Sequence, residues 1–573
     1  MGSIPLTIEE KLKNAVIELY GEDALAHVFI RETDNPSRGD YQTEFAMRYC
    51  RVVKKSPLEL AENLRDKISG DSFFLKVEAV RPGFLNFFVS DRAFSSSATS
   101  LFEDWKLGAG SIYKDKKMVI DYSSPNIAKR MHIGHFRATI IGDAIYRIYR
   151  FAGADIISDN HIGDWGTQFG KLIAAYKKWL DPEAYKNDPV GELERLYQKF
   201  DIEKNEDLLN EAREELVRLQ SGDPHNTALW KDFRRLSLSQ FDKVYEKLGV
   251  KFDVVLGESF YNDMLQEVAS ELETKKIAKE DAGALIVDTK ERYGVFGPII
   301  VRKKDGGFGY PATDLATIKY RIENYSPERI IYVTDNRQQD HFRAVFAVAE
   351  EWLGKVPDLV HVWFGVMRSS EGTFSSRSGN TIMLSELINE ACEKARAVVE
   401  EKNPSLSDEE KNNISEVVGI GALKYSDLNH DPKTNTVFNW EQMLSFEGNT
   451  APYLLYTYAR IKSVLRKHEA EYGSADNAEI NVENDIEREI IKQINSFPRT
   501  VKNAAEMCKP NLIGDFVFSL ASSFNTYYNR RDCQVVKETE PGKRESRKAL
   551  YGVVATYIKT CLDMLGIQTL ERM

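Results

Sequence analysis

The sequence predicts a multidomain α/β protein with a parallel sheet at its centre, an α+β module in front and an all-helical bundle behind. Three observations support this prediction. The 573 residues exceed what one hydrophobic core usually serves. Strand and helix patterns alternate in the middle of the chain, which is typical of a parallel sheet. Strand signals stop after about Phe438.

Residues 1–112 are predicted to form the α+β module. The segments IEEKLKNAVIELYG and SPLELAENLRDKI carry apolar residues at helical spacing. The segment FFLKVEAVRPGFLNFFV is typical of two strands around a turn at Pro82 and Gly83.

Residues 113–438 are predicted to form the central α/β domain. It begins with the strand KMVIDY, a helix with one apolar face, and the strand ADIISD, which together make a βαβ unit. One face of the helix carries Phe136, Ile140, Ile141, Ala144, Ile145 and Ile148. A charged helical insertion at about 178–250 divides the sheet, which resumes with RIIYVTD, HFRAVFAVAEEWLG and VHVWFGVMR. Such sheets bind ligands at the carboxyl ends of their strands.

The amino-acid composition indicates a soluble globular protein. Hydrophobic residues make up 42% and charged residues 29%, as in soluble globular proteins. No apolar run reaches the ~18 residues of a membrane span, and the first residues lack signal-peptide features. The five cysteines are scattered without a CxxC pair, so we expect reduced thiols, no zinc site and a cytoplasmic location.

Charge is unevenly distributed along the chain. The net charge is −11, yet Glu441–Met573 holds 18 basic and 18 acidic residues. Within it, Asn529–Lys548 holds seven basic and four acidic residues. Nucleic-acid affinity depends on such local patches, although a solvated surface explains the stretch equally well.

The stretch SSPNIAKRMHIGH indicates an anion site. His132, Gly134 and His135 follow a strand and open a helix, where backbone N–H groups and the helix dipole favour phosphate. Imidazoles donate to phosphate oxygens as charge builds, and a glycine lets a purine lie against the backbone. The alternative is two helix-start histidines bonded to nearby backbone.

Five motifs in this order resemble a class I arginyl-tRNA synthetase over essentially the whole chain: DYSSPNIAKRMHIGH, NHIGDWGTQFG, YPATDLATIKYR, FSSRSGNT and MLSFEGNTAPYLLYTYARIKS. The resemblance implies a Rossmann-like catalytic domain with the HIGH motif. It also implies an N-terminal module that binds tRNA and a helical anticodon-binding domain at residues 439–573.

The resemblance implies a ligase reaction. L-arginine and ATP form arginyl-adenylate with release of pyrophosphate, and the arginyl group then passes to tRNA(Arg) with release of AMP. The expected cofactor is ATP with Mg²⁺, without zinc. We expect no membrane association and a monomer.

A pocket that binds the guanidinium group of arginine needs a carboxylate and a flat aromatic ring. YPATDLA supplies Tyr310 and Asp314, which share a face if a helix begins there. The resemblance assigns both to the substrate guanidinium and assigns Asn126 and Gln338 to its α-amino and carboxylate groups. Further candidates are Glu258 and His161. A capped helix start with a half-buried tyrosine is the alternative for Tyr310 and Asp314.

The expected ATP site includes Gly134, with Asp335 and His341 placed by their position at and after the end of a strand. The resemblance adds Ser375, Ser376 and Arg377, which match a KMSKS loop whose two lysines are missing here.

Many arginyl enzymes show this departure together with a lysine before HIGH, so Lys129 is expected to supply the missing cation beside His132 and His135. Alternatively, Lys129 is a solvated turn residue, and Arg377 or Mg²⁺ stabilises the leaving pyrophosphate.

Aromatic and basic residues in the helical segment are candidates for tRNA binding, because anticodon bases stack on rings and guanidinium planes. The candidates are Tyr453, Tyr458, Arg460, Tyr528 and Arg530. Tyrosines on bundle helices are often core residues, and we expect at least half of those in these runs to be buried.

Two other functions fit parts of the sequence. A nucleotidyltransferase that makes an adenylate from a small carboxylate would explain residues 118–380 but not the helical segment. A synthetase-like RNA-binding protein without catalysis would not need His132, Gly134, His135, Tyr310 and Asp314.

Overall fold

The structure is a computed structural model that describes residues 3–33, 35–294, 297–369, 382–473 and 479–573. Within these ranges the chain is mainly helical, and its strands form four separate sheets. Among the helices described, none has the length and apolar character that a membrane span requires.

The first part of the chain forms the predicted α+β module. Its helices are α1 (Ile4–Tyr20), α2 (Phe45–Val53), α3 (Pro57–Ile68) and α4 (Asp91–Glu103), with 3₁₀ turns at Glu22–His27 and Pro36–Arg38. Its strands are β1 (Arg31–Glu32), β2 (Tyr41–Thr43), β3 (Phe74–Val80) and β4 (Phe84–Val89). They pair antiparallel in the order β1-β2-β4-β3. The hairpin predicted around Pro82 and Gly83 is confirmed as β3 and β4.

The central sheet begins with the predicted βαβ unit. Its elements are β5 (Lys117–Asp121), α5 (Ile133–Phe151) and β6 (Asp155–Asp159), and the two strands are parallel. All six apolar residues predicted for one face of α5 are buried. Each large apolar side chain stabilises the fold by about 1.5–3 kcal/mol when buried, so this face holds the helix firmly in place.

The chain after β6 forms a run of helices. They are α6 (Thr167–Trp179), α7 (Pro182–Asn187), α8 (Pro189–Glu203), α9 (Glu206–Gln220) and α10 (Pro224–Leu248). Helices α7 to α10 are each capped at the amino end by a side chain that accepts hydrogen bonds from backbone N–H groups. The capping residues are Asp181, Asp188, Asn205 and Asp223. These caps explain why a charged stretch breaks into several helices.

The second half of the central domain begins after a 3₁₀ turn at Glu258–Met264. It contains α11 (Leu265–Thr274), β7 (Lys279–Asp281), β8 (Ala284–Asp288), α12 (Thr289–Tyr293), β9 (Pro298–Arg302), α13 (Tyr310–Tyr325), β10 (Arg329–Asp335), α14 (Gln339–Leu353) and β11 (Asp358–Phe364). Strands β7 to β9 form a small antiparallel sheet. The central sheet is parallel in the order β11-β10-β5-β6.

The pattern of the segment VHVWFGVMR predicted a single strand, but the structure contains two strands there. After β11 the chain passes Gly365 and starts β12 (Met367–Ser369). A Cβ atom on Gly365 would lie 2.6 Å from the carbonyl oxygen of Thr434, so a crossing segment of backbone separates the two strands.

The rest of the chain is helical apart from one short strand. Its elements are α15 (Leu384–Lys402), α16 (Asp408–Leu428), β13 (Thr436–Phe438), α17 (Trp440–Met443), α18 (Ala451–Tyr472), α19 (Asp485–Glu506), α20 (Asn511–Asn529) and α21 (Pro541–Met564), with a 3₁₀ turn at Arg531–Cys533. In the described part of the chain no strand follows β13, which pairs with β12.

The helical segment packs against the rest of the protein through buried polar contacts. The Tyr149 hydroxyl of α5 donates to the carbonyl of Ala505 at 2.7 Å. The buried ammonium of Lys424 donates to the carbonyl of Gly566 at 2.6 Å. Deleting the helical segment would therefore uncover the back of α5, so point substitutions are the better probes of its role.

The stretch Asn529–Lys548 is less basic in the structure than in the sequence. At least four of its seven basic side chains lie within 4 Å of a carboxylate: Arg530, Lys543, Arg544 and Arg547. Arg547 is also buried, so it is not part of an exposed basic surface. All five cysteines are free.

Candidate active site

The carboxyl ends of β5, β6 and β10 meet at one edge of the central sheet, where their last residues are Asp121, Asp159 and Asp335. The loops that follow these strands carry most of the predicted site residues. The structure therefore brings together candidates that are more than 200 positions apart in the chain, such as Asn126 and His341.

The two histidines of the HIGH motif form a reciprocal cap at the start of α5. The N–H of Gly134 donates to Nδ1 of His132 at 3.0 Å, and the N–H of His132 donates to Nδ1 of His135 at 3.1 Å. A neutral imidazole whose Nδ1 accepts a hydrogen bond carries its proton on Nε2. Each ring therefore retains an Nε2–H donor that these contacts do not use.

Both histidines are held neutral by their surroundings. Burial lowers the pKa of His132, and burial followed by the charge on His132 lowers the pKa of His135 to about 3. Gly134 is needed because a Cβ atom there would lie 2.7 Å from the His132 ring. The backbone bonds expected by the alternative interpretation exist, and they serve to orient the rings.

Lys129 lies on the loop before α5, with its ammonium 4.5 Å from the centre of the Tyr197 ring. Its charge contributes to the lowered pKa of both HIGH histidines, and the charge of Arg337 also contributes at His132. The predicted partners Ser375, Ser376 and Arg377 lie outside the residues that the structure describes.

The loop after β5 presents Asn126 at the surface of the cleft. Ser123 and Ser124 adopt positive φ angles of 74° and 48°, and the Asn160 amide oxygen accepts from the Ser124 N–H at 3.1 Å. A Cβ atom on Gly163 would lie 1.9 Å from the Asn126 amide oxygen. Gly163 thus makes room for Asn126.

Helix α13 begins at Tyr310, as predicted, so Tyr310 and Asp314 occupy successive turns of one face. Tyr310 is exposed, and its ring is free to cover a ligand. Asp314 accepts from Nε2 of His341 at 2.5 Å. Burial opposes protonation of His341, but the hydrogen bond and charge of Asp314 raise its pKa overall. The structure therefore places His341 with the predicted arginine pocket.

Glu258 adds an unpaired carboxyl group to this pocket. Burial, followed by the charges of Asp164 and Asp314, raises the pKa of Glu258 to about 8. Among the described residues it makes no ion pair, whereas Asp164 is balanced by Arg234 at 2.8 Å. A cationic ligand would relieve the repulsion between Glu258 and Asp314.

The remaining candidates occupy different positions around the cleft. His161 packs against the Tyr261 ring, and its buried Nδ1 has no hydrogen-bond partner among the residues that the structure describes. Asp335 accepts from the backbone and guanidinium of Arg337, which lower its pKa against the effect of burial. Gln338 follows at the exposed start of α14.

Sequence reasoning missed Arg321, which is fully buried on α13. Its Nη2 donates to Asp121 and to Asp159, each at 2.7 Å. No sequence pattern marks this contact, because its partners lie 200 and 162 positions away. The helix of Tyr310 and Asp314 is thereby tied to the strand ends that support Asn126.

The tRNA candidates separate into buried and exposed residues. Tyr458 was predicted to contact tRNA, but its ring is buried and its hydroxyl donates to Glu571, so it packs as a core residue. Tyr456, two positions earlier on α18, is exposed. The Arg460 guanidinium lies 4.6 Å from the Tyr456 ring and 5.0 Å from the Tyr528 ring.

Two other tRNA candidates are engaged with neighbours. The Tyr453 hydroxyl accepts from Asn525 at 2.9 Å, and Arg530 pairs with Asp532. Of the five tyrosines in these runs, Tyr458 and Tyr527 are buried, which is fewer than the half that we expected. Over the described ranges, no three His, Cys, Asp or Glu side chains come together as a metal site.

Family models match most of the chain. The model for the catalytic domain of class I tRNA synthetases (R) matches residues 98–440. The arginyl tRNA synthetase N-terminal domain matches residues 6–89, and the DALR anticodon binding domain matches residues 454–573. The chain belongs to the arginyl-tRNA synthetase family.

Curated relatives and solved structures of this family align over nearly the whole chain. An arginine–tRNA ligase of Fusobacterium nucleatum is 46% identical over 97% of both chains, and one of Pseudomonas putida is 38% identical over 99% of this chain and 100% of its own. The arginyl-tRNA synthetases of Plasmodium falciparum and Thermus thermophilus superpose with TM-scores of 0.83 and 0.81, each at 26% identity and full coverage of both chains.

We predict that Asp314→Asn in this synthetase raises the KM for arginine at least about tenfold and leaves the KM for ATP within about threefold. The substitution keeps the size of the side chain but leaves a bound guanidinium with one carboxylate fewer, and an uncompensated buried charge costs several kcal/mol. Steady-state arginylation kinetics check this.

Asp340→Asn is the matched control, because Asp340 is exposed in the first turn of α14, next to His341. It should change neither KM. An arginine KM within threefold of wild type in folded Asp314→Asn would refute the assignment of the pocket.

Proposed function

We propose that the cleft at the carboxyl ends of β5, β6 and β10 is where this enzyme joins arginine to ATP. The chain is an arginine–tRNA ligase, which uses ATP to attach L-arginine to tRNA(Arg) through arginyl-adenylate and releases AMP and pyrophosphate. Each part of that reaction has a candidate group of residues in the cleft.

One observation carries the proposal: a group of residues rich in donors and a group rich in carboxylates adjoin the same residue, Tyr197. Lys129 and the HIGH histidines belong to the first group, and Glu258 and Asp314 belong to the second. The two groups approach each other at Tyr197. The Lys129 ammonium packs on the Tyr197 ring. The pKa of Tyr310 is raised by burial, by the charge of Glu258 and by Tyr197, so Tyr197 also lies close to Tyr310.

On the donor side, His132 and His135 would direct their Nε2–H groups at the phosphates of ATP. Because both rings are neutral and fixed by backbone bonds, they stabilise developing charge without having to reorganise. ATP enters as its Mg²⁺ complex, so the ion is part of the substrate. Gly134 lies exposed between the rings, where a purine can approach the backbone, and Asp335 is placed to accept from ribose hydroxyls.

On the carboxylate side, Asp314 and Glu258 would bind the guanidinium of arginine beneath the Tyr310 ring. His341 holds the Asp314 carboxylate in place, and His161 packs under the pocket. Asn126 and Gln338 would hold the α-amino and carboxylate groups. The arginine carboxylate then attacks the α-phosphate, so the enzyme needs positioning and charge stabilisation rather than a nucleophilic side chain.

The proposed domain boundaries are residues 1–112 for the tRNA-binding module, 113–438 for the catalytic domain and 439–573 for the anticodon-binding domain. The end of β13 at Phe438 and the ranges of the three family models support this division. We propose a cytoplasmic location, which the free cysteines favour. We also propose that the enzyme is a monomer.

We predict that Lys129→Ala lowers kcat for ATP–pyrophosphate exchange about a hundredfold, as expected for loss of one group that stabilises the transition state. The arginine KM should change little, because Lys129 acts on pyrophosphate. The assay is run with and without tRNA(Arg), and wild-type exchange must depend on arginine.

Lys171→Ala is the matched control for this prediction. Its ammonium lies 5.7 Å from the same Tyr197 ring but is paired with Asp201 at 3.1 Å. Near-normal kcat in Lys129→Ala would mean that another cation stabilises the leaving group.

In the anticodon-binding domain, the proposed contact surface is the cluster of exposed Tyr456 with the partly buried Arg460 and Tyr528. We predict that Tyr456→Ala raises the KM for tRNA(Arg) about tenfold, since stacking of one base on an aromatic ring contributes about 1–3 kcal/mol. The kcat at saturating tRNA should stay within about threefold, because the cluster is not part of the catalytic domain.

Tyr458→Phe is the control, since it alters a buried tyrosine two positions away without removing its ring. It should leave the KM for tRNA(Arg) unchanged. The surface is wrongly assigned if both variants bind tRNA as the wild type does.

A further inference from the structure

The loop that carries Lys129 is held by the helical insertion. The N–H of Ala128 donates to the hydroxyl of Ser237 on α10 at 2.8 Å, and Ala128 has a positive φ of 60°. Arg130 donates to Glu194 on α8 at 2.9 Å. Between these contacts, Lys129 lies on Tyr197 of α8. Three consecutive loop residues therefore depend on the insertion for their position.

The two contacts from α8 come from one face of that helix. Glu194 and Tyr197 are three residues apart, so their side chains lie side by side. One fixes Arg130 by an ion pair, and the other holds Lys129 through its ring. The spacing makes α8 a two-point clamp on the loop that precedes the HIGH motif.

An aromatic ring suits Lys129 better than a carboxylate would. A carboxylate would neutralise the ammonium and compete with phosphate for its N–H groups. A ring attracts the cation through its quadrupole and leaves the net positive charge intact. In the described part of the chain, Lys129 makes no ion pair, in contrast to its neighbour Arg130.

We infer that Tyr197 is a positioning residue that holds the Lys129 ammonium at the phosphate side of the cleft during adenylate formation. The inference rests on the proposed function of Lys129. It makes the helical insertion a part of the active site, because α8 sets where the cation stands relative to His132 and His135.

Four variants test the inference by ATP–pyrophosphate exchange in the presence of tRNA(Arg): Tyr197→Phe, Tyr197→Leu, Lys129→Ala and the double variant Tyr197→Leu with Lys129→Ala. Tyr197→Phe keeps the ring and should retain kcat within about twofold. Tyr197→Leu should lower kcat about five- to twentyfold, the range expected for loss of a partly desolvated cation–π contact. The arginine KM should change little in both.

The double variant separates positioning from structural support. If Tyr197 acts through Lys129, adding Tyr197→Leu to Lys129→Ala should lower kcat no further. Tyr185→Leu is the matched control, since Tyr185 packs on Tyr176 in the same insertion and bonds Asp232. Any decrease in kcat that Tyr185→Leu causes should be the same in the wild-type background and in the Lys129→Ala background.

Four results would overturn the inference. Tyr197→Leu with wild-type kcat, beside an impaired Lys129→Ala, would refute the role of Tyr197 and leave that of Lys129 intact. Equal losses from Tyr197→Leu in both backgrounds, or equal losses in Tyr197→Phe and Tyr197→Leu, would indicate structural support or a hydroxyl contact. Near-normal kcat in Lys129→Ala would refute both roles together.

Discussion

The fully buried guanidinium of Arg321 is the contact on which the rest of the site depends. It bridges Asp121 and Asp159, the last residues of two neighbouring strands, and it belongs to the helix that begins at Tyr310. A buried charge that loses one partner costs about 3–5 kcal/mol, so the helix cannot easily shift on the sheet. The loop after β5 depends on the same strand ends, because Ser124 bonds Asp121 and Asn160. The residues proposed for the guanidinium and the α-amino group of arginine therefore share one support.

The catalytic chemistry depends on groups whose charge state is set by their surroundings. The HIGH histidines are neutral because they are buried, and their tautomer is set by the backbone bonds to Nδ1. The Glu258 carboxyl has a raised pKa in the empty pocket, so a bound guanidinium favours its ionised form. The two sides of the cleft thus attract groups of opposite charge, phosphate on one side and guanidinium on the other.

Features set by nearby residues were predictable from the sequence. They include the hairpin at Pro82, the buried face of α5 and the start of α13 at Tyr310, because local spacing and turn chemistry determine them. Contacts between distant segments were not predictable, as Arg321 and its two aspartates show. The exposure of Tyr456 and the burial of Tyr458 also escaped prediction. Residues two apart on a helix point about 200° from each other, and only tertiary packing decides which side is covered.

The central claim is that Arg321 holds the helix of the arginine pocket in place on the strand ends. Calorimetric titration of Arg321→Lys with arginine and, separately, with ATP tests it most directly. Lysine keeps the buried charge but has a single ammonium that cannot reproduce the guanidinium geometry between two carboxylates. We expect the Kd for arginine to rise about tenfold or more, equivalent to about 1.4 kcal/mol, while the Kd for ATP stays within about threefold. Wild-type arginine affinity in the folded variant, or equal losses for both ligands, would contradict this role.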